Sequence, residues 1–267
     1  MSIATVSVAQ FAPTADLASN LAAMESLAES SVRRGASLVV FPEYSSYFSV
    51  PLGPEWVAAA QPLDGEFVSR LSTLASRLGI HIVAGMAESA DDSARFFNTL
   101  VAVTPAGAIA SEYRKLHLYD AFGEKESQFT IPGPIVEPVT FGWEGFTVGL
   151  QTCYDLRFPE VTRRLVDAGA DLVVVPSEWV RGPLKEHHWR TLVTARALEN
   201  TIYVAAADHA PPVGAGNSMV VDPFGVELAT IGDETGVAVA EISLDRVKSV
   251  RAINPSLALR RFGVTEL

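Results

Sequence analysis

Cysteine is almost absent: Cys153 is the single one among 267 residues, so no disulfide can form within the chain. A reducing compartment fits that count. Positive charge is scarce as well, with 20 Lys and Arg against 31 Asp and Glu, a formal net charge of −11. Nucleic acid and anionic membrane surfaces are bound by clustered basic residues, so neither is expected as a partner. No apolar run approaches the ~20 residues that cross a bilayer. The opening Met1-Ser2-Ile3-Ala4-Thr5-Val6 has no basic stretch leading into a long apolar one, and no signal peptide is read there. A cytoplasmic location is the expectation. Metal-ligand spacing is missing too. His187 and His188 are adjacent and would point ~100° apart on a helix, while His81, His117 and His209 are isolated. No metal is expected. No glycine- or proline-rich linker, internal repeat or low-complexity segment divides the chain, so one domain over 1–267 is expected.

What is present is a 48% hydrophobic composition, enough for a substantial core, arranged as alternating strand-like and helix-like segments. Ile3 to Phe11 alternates as a half-buried strand does. Asp16 to Arg34 carries Leu17, Leu21, Met24 and Leu27 at helical spacing and stops at Gly35. Further helices are predicted over Phe67 to Leu78, Pro159 to Ala168 and His187 to Asn200. Strands are predicted at Ser37–Phe41, Ile80–Ala84, Asn98–Val103, Ile109–Tyr113, Val148–Thr152, Leu172–Val175, Ile202–Ala207, Ser218–Val221, Val226–Thr230 and Val237–Ile242. Leu38 to Phe41 and Leu172 to Val175 are continuously apolar, as strands covered on both faces are. Hairpin signals around Pro105 and Pro223 add antiparallel pairing. The pattern predicts a layered α/β fold with mixed sheets.

Three strand ends carry reactive side chains. Glu43 follows Val40-Phe41-Pro42, Lys115 follows Tyr113-Arg114, and Cys153 follows the run from Phe146 to Leu150 and precedes a predicted helix. A helix N-terminus stabilises thiolate and oxyanion, so the thiol is placed for reaction. Taken singly, each has a blander reading: a solvated glutamate, a surface lysine, an inert buried cysteine. Taken together, a thiol nucleophile needs a proton acceptor, and the oxyanion it generates needs a cation or N–H donors. Glu43 supplies the first; Lys115 and the Tyr154 amide supply the second.

Phe41-Pro42-Glu43, Tyr113-Arg114-Lys115-Leu116-His117-Leu118 and Cys153-Tyr154-Asp155-Leu156-Arg157-Phe158-Pro159-Glu160 resemble, in order and separation, the three signatures of the nitrilase superfamily of carbon–nitrogen hydrolases. Ala195 to Asn200 and Gly216 to Gly225 resemble it too, so the likeness runs from about Ile3 to Leu244, closest to the Nit-like amidase branch. It implies a four-layer α-β-β-α sandwich, with Glu43 as general base, Lys115 as stabiliser of the tetrahedral intermediate and Cys153 as nucleophile. It also implies a second active-site glutamate after the lysine: Glu126 fits best, with Glu124 a competitor. No cofactor is implied. The activity implied is hydrolysis of a small linear amide through a cysteine thioester. N-carbamoyl or ureido-acid hydrolysis is the alternative, and an inactive ligand-binding member of the fold a weaker one.

The loop Pro176 to Lys185 matches one that usually lines the substrate pocket in this superfamily, and amidase branches acting on omega-amides or deaminated glutathione tend to show small residues there. Here it holds Glu178, Trp179 and Arg181. With Tyr154, these are the candidate substrate-binding residues; Arg181 has the fork to grip a carboxylate. Asp155, Arg157, Glu160, Arg196 and Glu199 are read as holding geometry. The segment 245–267, with its apolar stretch Ile253 to Phe262, resembles tails that cross a subunit interface, and a homodimer or higher even assembly is expected.

Overall fold

The computed structural model describes residues 3–266. Its first half runs β1 (Ile3–Gln10), α1 (Leu17–Arg33), β2 (Leu38–Val40), α2 (Pro54–Ala59), α3 (Glu66–Leu78), β3 (His81–Ser89), β4 (Phe96–Val103), β5 (Ile109–Arg114) and β6 (Thr130–Ile131). The second half runs β7 (Thr140–Trp143), β8 (Phe146–Leu150), α4 (Pro159–Asp167), β9 (Leu172–Ser177), α5 (Lys185–Asn200), β10 (Tyr203–Asp208), β11 (Met219–Val221), β12 (Glu227–Thr230), β13 (Gly236–Ser243) and α6 (Leu244–Ile253). Local chemistry sets the helix ends. The Asp16 carboxylate accepts from the N–H groups of Ala18 and Ser19 and starts α1. Gly79, at φ +67°, ends α3 in the left-handed conformation that favours glycine.

One sheet has the order β13-β1-β2-β3-β4-β5, with β6 joined to β4; the other has the order β12-β11-β10-β9-β8-β7. Alternate residues of both sheets point at each other and form the central core, where Val6, Val8, Leu38 and Val40 meet Val148, Leu150, Leu172 and Val174. On the outer face of the first sheet, Met24 and Leu27 of α1 and Phe67 and Leu71 of α3 pack on Val39 and Ile82. On the outer face of the second, Leu165 of α4 and Trp189 and Val193 of α5 pack on Val173 and Val175. Four layers result, as the resemblance implied. No helix among the described residues is long and apolar enough to cross a membrane.

Strand direction decides where the chemistry gathers. β2 runs parallel to β3, and β5 regains that direction through two antiparallel steps, β3 to β4 and β4 to β5. In the second sheet β8, β9 and β10 are mutually parallel. The carboxyl ends of β2, β5, β8, β9 and β10 are therefore where Glu43, Lys115, Cys153, Glu178 and His209 follow. Residues 244–253 form α6, which buries Val247 and Val250. Beyond it the chain lies on the surface, and Arg260 is tied to Asp167 at 3.0 Å and by a second, shorter contact.

Candidate active site

Glu43 and Lys115 meet in the interior. The Lys115 Nζ lies 2.9 Å from Glu43 Oε1 and 3.0 Å from Glu126 Oε2, with all three side chains no more than 7% exposed. Burial alone would discharge the ammonium, but the two carboxylates outweigh it and hold the lysine well above its ordinary range. Burial likewise acts to raise the Glu126 carboxyl, and Lys115 with the Tyr119 N–H more than reverses it. Glu126 also accepts from the Tyr44 hydroxyl at 2.8 Å. Asn98, on β4, donates to Glu43 at 2.6 Å and to Glu126 at 3.0 Å, spanning the two acids. Glu124 is exposed at the cavity and makes no contact with Lys115 among the described residues, whereas Glu126 is buried against it.

Glu43 is fixed from both sheets. Its Oε2 accepts the Glu178 N–H at 2.7 Å, and its carbonyl accepts from His209 Nε2 at 2.6 Å. Gly85 of β3 makes room for its main chain: a Cβ there would stand 2.6 Å from Glu43 Cα and from the Tyr44 nitrogen.

Cys153 opens a tight 3-10 turn, Cys153–Arg157, and holds φ at +43°. A non-glycine residue pays for that left-handed conformation with about 1–3 kcal/mol, so the surroundings must impose it. They do so through Asp155 and Arg196. Asp155 accepts from the Thr152 N–H at 3.1 Å, the Tyr113 hydroxyl at 2.6 Å and the His117 N–H at 3.0 Å, tying the cysteine turn to the segment that carries Lys115. Arg196 of α5 donates to the Leu156 carbonyl at 3.0 and 2.7 Å and pairs with Glu199. These residues hold geometry, as expected from the sequence. Glu160 stands exposed in the first turn of α4.

The Cys153 sulfur lies 3.4 Å from the Glu178 carbonyl. Its thiol is pushed well above the ordinary range by burial and by the negative charge of Glu43, against the opposing pull of Lys115. That rise opposes the stabilisation of a thiolate expected from the helix end, and the Glu43 carboxylate is the group placed to take the thiol proton.

The triad opens into a cavity of about 660 Å³, lined also by Glu126, Tyr154, Glu178 and Trp179. Trp179 is 4% exposed, donates through Nε1 to the Lys185 carbonyl, and forms a wall. Arg181 does not line the cavity; it is about half exposed, with Nε 3.6 Å from Glu186, so the carboxylate-gripping place expected for it is not where it stands. Besides the exposed Lys125, two other cations line the cavity, Arg157 and Lys185. Arg157 sits over the Trp179 ring at 4.8 Å, and Lys185 lies 3.8 Å from the Phe122 ring centre and bonds the Tyr119 hydroxyl at 2.7 Å. Neither forms an ion pair among the described residues, and Arg157 Nε and Nη2 are buried with no partner. Arg157, read from sequence as holding geometry, thus also lines the cavity, packed against the Trp179 and Phe122 rings. Asn98, Tyr44, Lys185 and His209 were not singled out from sequence. A polar Asn98-Thr99 pair inside an apolar strand was the one signal that offered Asn98.

Comparison with known proteins agrees with this geometry. The carbon-nitrogen hydrolase family model matches residues 5–252. A deaminated glutathione amidase of Escherichia coli O157:H7 is 40% identical, the match covering 98% of this chain and 99% of that protein. Among solved structures, the Caenorhabditis elegans NitFhit protein superposes with a TM-score of 0.88 at 31% identity, over 97% of this chain and 65% of that one. An amidase of Nesterenkonia sp. AN1, solved as a double mutant in complex with acrylamide, gives 0.79 at 28% identity over 97% and 98% of the two chains. With its strand-end Glu, Lys and Cys drawn to one cavity and its whole length matched, the chain belongs to the carbon-nitrogen hydrolase family, within the nitrilase superfamily.

Proposed function

We propose that the protein hydrolyses the carbon–nitrogen bond of a small linear amide whose acyl half carries a carboxylate. Glu43 takes the Cys153 thiol proton as the sulfur attacks the amide carbon. Lys115 and the Tyr154 N–H meet the negative charge that develops on the oxygen. The carbon–nitrogen bond then breaks, and the nitrogen leaves as ammonia with the proton returned from Glu43. A thioester remains on Cys153. Water attacks it, Glu43 takes the water proton, and the acid leaves as the sulfur is reprotonated. Glu126 keeps Lys115 charged throughout. An amide substrate agrees with the name of the E. coli relative.

The carboxylate rests on one observation: Arg157 and Lys185 line the catalytic cavity and, among the described residues, form no ion pair. Lys115, by contrast, is neutralised by two carboxylates. Uncompensated cations in a shielded cavity draw an anion, and a guanidinium is a side chain suited to a carboxylate.

Ammonia release from a panel of carboxylated and uncharged linear amides tests the reading, with mass spectrometry of the acyl group trapped on Cys153. Carboxylated amides should be preferred, and Arg157→Met should raise KM for them about tenfold or more while leaving uncharged amides nearly unaffected. Carbon dioxide released with the ammonia would mark a carbamoyl substrate instead. Folded protein that is silent across the panel would overturn the proposal.

A further inference from the structure

Glu178 follows β9 directly, and its main chain serves the reacting groups through Glu43 and Cys153. Its side chain has no part in the steps above, yet it lines the same cavity. Oε1 is sealed from solvent with no hydrogen-bond partner among the described residues, whereas Oε2 is not sealed. No ion pair joins this carboxyl to a cation among the described residues: Lys115 is taken by Glu43 and Glu126, Arg181 faces Glu186, and Lys185, which feels this carboxyl only from beyond ion-pair range, bonds the Tyr119 hydroxyl. Burial drives the carboxyl well above the ordinary range, and the Glu43 charge adds to the rise against the pull of Lys115.

A sealed oxygen without a donor is far costlier on a carboxylate than on a carboxylic acid. In the acid, the sealed Oε1 is the carbonyl oxygen, where a missing donor costs least. The hydroxyl hydrogen then belongs to Oε2. A neutral O–H on the cavity wall is a donor waiting for an acceptor.

We propose that the Glu178 side chain donates a hydrogen bond from Oε2 to an uncharged acceptor oxygen (carbonyl, hydroxyl or ether) on the acyl half of the amide, and so determines which carboxylated amides are accepted. This assignment rests on the amide reading above. Arg157 and Lys185 read the carboxylate; Glu178 reads the chain between that carboxylate and the amide.

The test is a matched series of amides of one short dicarboxylic acid, identical except at one chain carbon: methylene, oxo, hydroxy or ammonio. Turnover by the parent and calorimetric binding to a Cys153→Ala variant are both measured, because binding needs no chemistry. The oxo or hydroxy member should be preferred over the methylene member by about tenfold, the worth of one neutral hydrogen bond. Glu178→Gln, whose amide N–H also donates, should keep most of that preference, and Glu178→Leu should lose it.

Equal binding of methylene and oxygen-bearing members overturns the proposal, as does a preference that survives in Glu178→Leu. A preference for the ammonio member that Glu178→Gln abolishes also overturns it, by making the side chain an anionic ion-pair partner. A parent that turns over no amide but keeps the oxygen preference in binding would sink the hydrolytic reading and leave this assignment standing. Should Glu178→Leu fail to fold, the parent series and Glu178→Gln still decide.

Discussion

Lys115 balances two acids that would otherwise repel each other in a space closed to water. Lys115→Met would leave Glu43 and Glu126 joined only through Asn98. Removing one member of a buried ion pair costs about 3–5 kcal/mol. Urea unfolding at neutral pH should show a loss of that order together with abolished turnover. The deficit should shrink in acid, where the two carboxyls can take up protons. His209 adds a separate dependence. Burial lowers its imidazole from 6.5 to about 4, and it stays neutral against the Glu43 carbonyl. Between those values the unfolded chain binds more protons than the folded one. The stability tied to a neutral His209 is therefore complete above 6.5 and declines as pH falls toward 4. At 1.36 kcal/mol per unit the decline is about 3 kcal/mol. His209→Gln does not titrate there, so the difference between its unfolding curve and the parent's, followed from pH 7.5 to 4, should flatten by about that amount. Parallel curves would mean the imidazole is not held neutral by the fold.

Elements place these side chains through close backbone approaches, and one of them is the passage of the Pro42–Tyr44 segment beside Gly85 of β3. Gly85→Ala puts a methyl 2.6 Å from Glu43 Cα, against main chain that cannot swing aside. Glu43 should shift relative to Cys153, and misplacement of about 1 Å costs on the order of a hundredfold in rate. Measured kcat should fall by that much while the far-ultraviolet spectrum stays that of the parent. A variant with parental kcat would mean Glu43 has slack. Elements of this kind were readable where one local signal dominates. Continuous apolar runs marked β2 and β9, Asp16 marked the start of α1, and Gly79 marked the end of α3. Where pairing or context dominates, sequence said less. β3 continues to Ser89 because Glu88 and Ser89 pair with Phe97 and Phe96 of β4. The short α2 has too few residues to show a period, and α6, with four charged residues among ten, buries only Val247 and Val250. In the site, the three strand-end residues were legible from their motifs. Asn98 and Lys185 were not, because a polar residue inside a strand or a lysine at a helix start has no distinctive neighbours in sequence. Arg181 misled for a related reason: its residue type suits an anion, but the loop turns it toward Glu186.

At the scale of the whole molecule the tail leaves apolar surface uncovered. Ile253, Leu259 and Phe262 are 74%, 70% and 90% exposed, while the pairing of Arg260 with Asp167 fastens the segment between them. Single exposed apolar residues are ordinary, but several on one fastened segment are the mark of a covered surface. We propose that a second copy covers it, giving a homodimer. Two such chains bring together a formal charge of −11 each, so their long-range interaction is repulsive and short-range apolar burial must overcome it. Added salt screens the repulsion within about 8–10 Å and barely touches the apolar term. Light scattering should therefore report a dimer that tightens as ionic strength rises. Leu259→Glu and Phe262→Glu add charge where the apolar contact forms, and together they should shift the protein to monomer, with the free monomer losing little thermal stability because both side chains are exposed in it. A parent that is monomeric at all salt concentrations, or a doubly substituted chain that still dimerises as the parent does, would place any assembly on another face.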